Sequence, residues 1–234
     1  GVTTNGTPGF DDAYTQITVA SSAPTLYYYC TQHSGMGGQA NTTATHGSSN
    51  FKGSIPAIVS ANQDAGFSIC AWTGNGTSGA TIGHGLSSAP ELIISKRRDS
   101  TGIWMIYAKP AASDAETDYL RLDGTDALAD DSRIWNDTVP TASVFSVGSG
   151  TSHINTSSAT HVTYCFHSVE GYSKVGLYVG NGNANGTFVA TNFAVKWLMV
   201  KRSDSTGWWG ISDSTRSLYN EIVNTLAANE AYSE

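Results

Sequence analysis

Alternation of apolar and polar positions along the chain predicts a protein built from short β-strands. Near the start, 14-YTQITVA-20 and 25-TLYYYC-30 place apolar side chains at every second position. Further along, 119-YLRL-122, 143-SVFSV-147 and 160-THVTYCF-166 show the same period, which is typical of strands with one buried face. Turn residues separate these segments at regular intervals. The pattern therefore favours an all-β fold of roughly ten strands.

An internal repeat occupies most of the second part of the chain. The first copy contains 72-WTGNG-76 and 94-ISKRRDSTGIWMIYAK-109, and the second contains 178-YVGNG-182 and 199-MVKRSDSTGWWGISDS-214. Matched positions of the two longer segments are 105 apart (199 − 94), whereas the Gly-Asn-Gly turns are 106 apart (178 − 72). A single one-residue insertion or deletion therefore separates the copies, and the order of the motifs is the same in both.

Each copy of the repeat reads as strand, Gly-Asn-Gly turn, strand, Asp-Ser-Thr-Gly turn, strand. Asn-Gly supplies the positive backbone angles that tight hairpin turns need. The apolar runs 91-ELIIS-95 and 103-IWMIY-107 correspond to 196-KWLMV-200 and 208-WWGI-211, and their length predicts buried antiparallel strands. We therefore expect a two-sheet β-sandwich with an internal duplication.

A polar segment separates the repeat from the first strands. The stretch 39-QANTTATHGSSN-50 lacks hydrophobic periodicity and is typical of a linker. Two strands do not make a stable domain alone. We therefore place a boundary near residue 46, with residues 1–45 as part of a further module and residues 46–234 as the duplicated sandwich.

The charge and the hydropathy of the chain limit the classes of molecule that it is expected to bind. The net charge is −7, charged residues make up 13% of the chain, and the longest basic run, 96-KRR-98, stands alone. Nucleic-acid binding needs clustered Lys and Arg, so a nucleic-acid partner is not expected. No apolar run reaches the roughly 20 residues that span a bilayer. Membrane insertion is therefore not expected either.

The stretch 26-LYYYCTQHSGMGG-38 carries three candidate copper ligands, Cys30, His33 and Met36. Electron-transfer copper sites use a thiolate, two imidazoles and a weak axial thioether. The segment resembles the C-terminal ligand loop of the cupredoxin fold, which implies a partial cupredoxin-like strand pair at the N-terminus. The preceding residues 1–29 contain no second histidine. Two readings stay open, a degenerate strand pair without metal and a copper site completed in a longer chain.

The remainder of the chain resembles a β-sandwich domain that is common in structural proteins of tailed bacteriophages, above all marine ones. The segments that carry this resemblance are 66-GFSICAWTGNG-76, 83-GHGLSSAP-90, 140-PTASVFSVG-148, 164-YCFHSVEGYSKVG-176, 178-YVGNGNANGTFV-189 and 201-KRSDSTGWW-209. The resemblance implies a jelly-roll or concanavalin-like sandwich in a tail fibre or another virion protein. It implies no catalytic residues.

Three tryptophans lie beside the repeated turns and are candidates for stacking against sugars. Trp104 and Trp209 occupy equivalent positions within apolar runs, so we assign them to the core. Trp208 points to the opposite face by strand alternation. The sequence therefore favours Trp208 as the glycan-binding candidate.

The other reactive residue types form no recognisable catalytic motif. Cys70 and Cys165 each lie in an apolar strand pattern and are interpreted as buried free thiols, with a disulfide between them as the alternative. The acidic segment 113-SDAETDYLRLDGTDALADD-131 lacks a regular calcium-loop register and is interpreted as a solvated loop with a strand inside it. No nucleophile elbow is present, so an enzyme is not expected.

Together these observations predict a non-enzymatic bacteriophage structural protein, a fibre or a head or tail decoration component exposed on the virion. Its expected partners are further copies of itself, with a trimer by analogy, and other virion proteins. A carbohydrate-binding adhesin that attaches to host-surface glycan is the first alternative, and a cupredoxin-type copper protein is the second. Copper is the one cofactor under consideration, and only in that last reading.

Overall fold

A computed structural model describes residues 2–7, 13–17, 19, 26–29, 37–40, 47–216 and 224–230. The chain divides into two compact units, Gly1–Ser48 and Ser49–Glu234. The boundary predicted near residue 46 falls on a residue outside the described ranges. In the part of the chain that is described, regular structure consists of strands, one short helix and one turn of 3₁₀ helix.

The first unit contains two small antiparallel ladders. Its strands are β1 (Val2–Asn5), β2 (Tyr14–Ile17), β3 (Leu26–Tyr29) and β4 (Gly37–Ala40). Strand β1 pairs with β2, and β3 pairs with β4 so that Tyr29 lies opposite Gly37. The strands predicted at 14–20 and 25–30 therefore form, over shorter ranges.

Strands of the second unit carry the main body of the fold. They are β5 (Ser48–Asn50), β6 (Ala57–Asn62), β7 (Phe67–Thr73), β8 (Ala80–Gly83), β9 (Leu92–Arg97), β10 (Met105–Ala108), β11 (Asp118–Arg121), β12 (Ala129–Asp130), β13 (Val144–Val147), β14 (Thr160–Phe166), β15 (Trp197–Lys201), β16 (Trp209–Asp213) and β17 (Leu226–Ala227). The helix α1 spans Ser132–Trp135, and the 3₁₀ turn spans Lys109–Ala111. The Asp131 side chain caps α1 by accepting a hydrogen bond from the Arg133 backbone N–H at 3.0 Å.

An eight-stranded sheet forms the centre of this unit, in the order β12-β11-β10-β9-β14-β7-β6-β5. One of its faces packs against the two-stranded sheet β8-β13. Side chains at every second position of the strands in both sheets form the core between them. The buried residues shared by the two sheets include Val59, Cys70, Trp72, Ile82, Ile93, Met105, Tyr107, Phe145, Val147 and Cys165. This pairing of sheets is the β-sandwich that the sequence predicts.

A third layer lies on the opposite face of the eight-stranded sheet. The three-stranded sheet β15-β16-β17 contributes Trp209, which is buried with Ile106 and Leu120 in a second core cluster. Met199 of β15 packs against the same cluster. One face of the three-stranded sheet is therefore held against the main body by apolar contacts.

The Gly-Asn-Gly turns do not form the tight hairpins that the sequence predicts. Strand β7 belongs to the eight-stranded sheet and β8 pairs with β13, so residues 74–76 carry the chain from one layer to the other. In the second copy, residues 178–196 contain no strand. Alternation identifies a strand but not the sheet that it joins, which is why the prediction was wrong here.

The Asp-Ser-Thr-Gly hairpins of the two copies, in contrast, have the same register. Met105 lies opposite Ser95, and Gly210, 105 positions later, lies opposite Val200. The backbone N–H of the equivalent tryptophan, which directly precedes β10 in the first copy and begins β16 in the second, bonds to a side-chain oxygen in each: Trp104 N–H donates to Asp123 Oδ1 at 3.3 Å and Trp209 N–H donates to Asn229 Oδ1 at 2.9 Å. The structure thus shows two matching hairpins and does not confirm a duplication of the whole domain.

Candidate functional site

The candidate copper ligands Cys30, His33 and Met36 lie outside the described residues. Only the strands on either side of them, β3 and β4, are described. Within the described ranges, no group of three or more His, Cys, Asp or Glu side chains is placed to hold a metal ion. The copper prediction stays a prediction.

The glycan-binding candidate Trp208 lies on the surface of the three-stranded sheet. Its side chain is 46% exposed, whereas the next residue, Trp209, is buried and donates from its indole Nε1 to the Arg121 carbonyl oxygen at 2.7 Å. Trp104, the repeat equivalent of Trp209, is half-buried. Trp208 directly precedes β16, and side-chain alternation into the strand separates the two neighbouring tryptophans onto opposite faces.

Trp208 belongs to an apolar surface that we call the outer face, formed by Leu198, Val200, Trp208 and Gly210. The pairing of Val200 with Gly210 and of Leu198 with Ser212 places these residues on the same side of the three-stranded sheet. Leu198 is 47% exposed. The outer face is therefore the side of the sheet opposite the one that Trp209 packs against the main body.

Gly210 lets the Trp208 indole lie close over the strand. A Cβ atom at Gly210 would lie 2.8 Å from Trp208 Cζ3, closer than van der Waals contact allows. The indole thus lies against Gly210 while Trp208 stays 46% exposed. A flat exposed indole is the type of surface on which a sugar ring or another apolar group packs.

Charged side chains border the outer face at the Asp-Ser-Thr-Gly turn. Arg202 Nε donates to Asp204 Oδ1 at 2.7 Å, and this hydrogen bond lowers the pKa of Asp204. Partial burial lowers the pKa of the neighbouring Lys201, whose ammonium donates to the carbonyl of Thr125 at 3.4 Å. The turn thus provides a polar rim beside an apolar centre, an arrangement that is typical of interaction surfaces.

A row of buried polar groups lies on the opposite side of the molecule, between the eight-stranded sheet and the β8-β13 sheet. Thr163 Oγ1 accepts a hydrogen bond from Trp72 Nε1 at 2.9 Å and lies 2.8 Å from Ser95 Oγ. The His161 imidazole stacks on the Trp72 indole with ring centroids 4.3 Å apart. Burial lowers the pKa of His161 to about 4, so the ring is neutral near neutral pH.

The two described cysteines are free and buried in the same region. Cys70 and Cys165 are thus buried free thiols in the structure, in agreement with the first of the two interpretations. Burial raises the pKa of the Cys165 thiol, which disfavours the thiolate that a nucleophile needs. The hydrogen bonds of the buried polar row join strands β7, β9 and β14 within the core.

Sequence reasoning found Trp208 but missed the other members of the outer face. The repeat alone gave no signal for them, because Leu198 and Val200 are equivalent to Ile93 and Ser95, whose burial in the first copy only the structure shows. The acidic segment contains strand β11, as predicted, and its Asp126 pairs with Arg121 at 3.1 Å. Most of its residues are half-buried and not solvated, and Ala115 and Leu120 are buried. Among the described residues, no helix is long and apolar enough to cross a membrane.

Comparison with known proteins identifies the family. Residues 39–234 match the family described as a domain of unknown function, DUF7483. No curated protein and no solved structure matches the sequence. Because the match covers most of the chain, including both hairpins and the outer face, the protein belongs to the DUF7483 family.

Proposed function

We propose that this domain is a non-enzymatic structural component of a bacteriophage virion, in a fibre or in a head or tail decoration, that acts in assembly and in presenting a surface. The observation that carries this proposal is the outer face, an apolar sheet surface with a polar rim on an otherwise sparsely charged sandwich. Monomeric proteins rarely expose contiguous apolar surface unless it binds a partner. The resemblance to virion proteins supplies the setting.

The rigidity of the sandwich supports a role in presentation. Three layers of sheet are fixed by two apolar clusters, one around Ile82 and Ile93 and one around Ile106 and Trp209. Such packing holds the turns at the sheet edges in constant positions. A surface held in this way binds its partners without the loss of conformational entropy that ordering a flexible segment would cost.

Labelling of purified particles tests this proposal. An antibody raised against the 234-residue chain is expected to bind intact virions that encode it, and electron microscopy of the labelled particles locates the domain on a fibre or on the shell. A chain that is found only in the soluble fraction of the infected host, and never on particles, would contradict the proposal.

A glycan-binding adhesin is the second candidate, and the exposed indole of Trp208 favours it. If the domain attaches to host sugars, the intact chain is expected to bind to a glycan array. Trp208→Ala should abolish this binding, and Trp104→Ala should retain it. Absence of binding to any glycan by a folded chain would exclude this function.

A further inference from the structure

The outer face corresponds to a surface that is largely buried in the first copy of the repeat. The identical registers of the two hairpins make Leu198 equivalent to Ile93 and Gly210 equivalent to Met105. Ile93 and Met105 belong to the main core, where the β8-β13 sheet covers them. The second hairpin therefore presents to solvent the face that the first hairpin buries.

The chain also exposes the segment that is equivalent to the covering strand. Strand β8 contains Ile82, which is 0% exposed in the main core, and the residue 106 positions later (188 − 82), at the offset of the Gly-Asn-Gly turns, is Phe188, which is 90% exposed. Its neighbour Val189 is exposed as well. A phenylalanine that is 90% exposed beside an exposed valine loses contact with water only through a partner.

We infer that the outer face of one chain is covered by the segment around Phe188 of a second copy of the same chain. In the first copy the equivalent surfaces pack on each other, so their shapes and apolar character suit one another. In the second copy Leu198 and Trp208 of the outer face and Phe188 and Val189 all remain exposed in the same folded chain. A reciprocal exchange between two copies buries both surfaces at once, which is how a symmetric self-complementary interface forms.

The uncharged character of both surfaces fits this partner. Leu198, Val200 and Trp208 on one side and Phe188 and Val189 on the other are apolar. Arg202 and Asp204 at the turn beside the outer face pair with each other at 2.7 Å, and the Lys174 ammonium near Val189 donates to the Ala190 carbonyl at 2.7 Å. Two copies with the same net charge of −7 thus meet without bringing unpaired like charges together at the centre of the contact. This inference rests on the proposed role in assembly and names the surface that performs it.

The oligomeric state of the intact chain in solution tests the inference. Sedimentation velocity is expected to give a molar mass of at least twice the 24.6 kDa of one chain. Leu198→Asp and Phe188→Ser are each expected to weaken self-association by about 100-fold. The matched control is Ile58→Asp, which alters another exposed apolar residue on the eight-stranded sheet and is expected to leave the association unchanged. Far-UV circular dichroism shows that each variant is folded.

A crosslinking measurement identifies which chain covers the face. In a Cys30→Ser background, chains carrying Phe188→Cys are mixed with chains carrying Leu198→Cys and oxidised, and a disulfide-linked dimer of the two is the expected product. The inference would be overturned if the chain stayed monomeric at high concentration, or if Ile58→Asp weakened self-association as much as Leu198→Asp does. It would also be overturned if one monomeric chain that carries both cysteines formed the disulfide within itself. Particle labelling is independent of these results, so the role in the virion and the interface fail or succeed separately.

Discussion

The two Asp-Ser-Thr-Gly hairpins have the same backbone pairing but different surroundings. The first, β9-β10, lies inside the eight-stranded sheet, where β14 pairs with β9 and β11 pairs with β10, and it has buried residues on both faces. The second, β15-β16, belongs to a three-stranded sheet with one packed face and one exposed face. The difference teaches that a hairpin's register is a local property, whereas the burial of its faces depends on what the rest of the chain places against them.

The largest expected effect concerns the packed face of the second hairpin. Trp209→Ala should lower the free energy of unfolding by about 3–5 kcal/mol, because it leaves a cavity beside Ile106 and Leu120 and an unpaired carbonyl at Arg121. Urea denaturation followed by circular dichroism measures the change. Trp208→Ala is the matched control, with an expected loss of about 1 kcal/mol or less, since that indole is exposed. Equal losses would mean that the two faces do not differ as described.

Acid is expected to destabilise the region around the first hairpin through His161, which lies opposite Arg97. Burial lowers the pKa of His161 from 6.5 to about 4, with Arg97 and Lys96 acting in the same direction and Asp99 opposing them. Because the unfolded chain takes up the proton first, stability is fully present above pH 6.5 and falls as the pH decreases toward 4. The expected loss is about 3 kcal/mol.

Unfolding free energies measured across that pH range test this expectation. In His161→Phe the ring can still stack on Trp72 but cannot be protonated, so the loss of stability on acidification should be smaller than in the parent chain. An unchanged pH dependence in the variant would show that other groups cause the loss.

A smaller effect is expected where Thr163 joins the first hairpin to its neighbouring strands. Thr163→Val removes the hydroxyl that bonds to Trp72 Nε1 and Ser95 Oγ, and the buried groups left without a partner should cost about 2 kcal/mol. Thermal melting compares this variant with Thr160→Val, which changes an exposed residue of the same strand and should have little effect. The second hairpin has Val200 in place of Ser95 and so has no comparable link.

The smallest expected difference lies in the two equivalent turns. Arg97 bonds to Asp99 at 2.7 Å and also donates to the Ser152 carbonyl at 3.2 Å, and Arg97→Ala should lower stability by about 1 kcal/mol. Arg202 forms only the exposed pair with Asp204 among the described contacts, so Arg202→Ala should shift the melting temperature less. A larger shift for Arg202→Ala would show that the second turn has a partner in solution.

Much of the local structure follows from the sequence. The strand predicted at 160–166 forms with those bounds as β14, and 143–147 forms as β13 over Val144–Val147, because period-two alternation reports directly which side chains are buried. The route of the chain between sheets does not follow from it: β7 and β8 join different layers although an Asn-Gly turn signal lies between them. In the candidate site, strand alternation predicted that Trp208 is exposed. No pattern in the sequence predicted that His161 is buried.

The sequence by itself determined the all-β class and the pairing of the two Asp-Ser-Thr-Gly hairpins, since turn chemistry and strand alternation act over a few neighbouring residues. The tertiary structure alone decided that Ile93 is buried and Leu198 is exposed, although the two residues occupy the same register position. The physical reason is that apolar burial depends on strands distant in sequence. Strands β8 and β13 cover the first hairpin, and no sequence window around Leu198 contains that information.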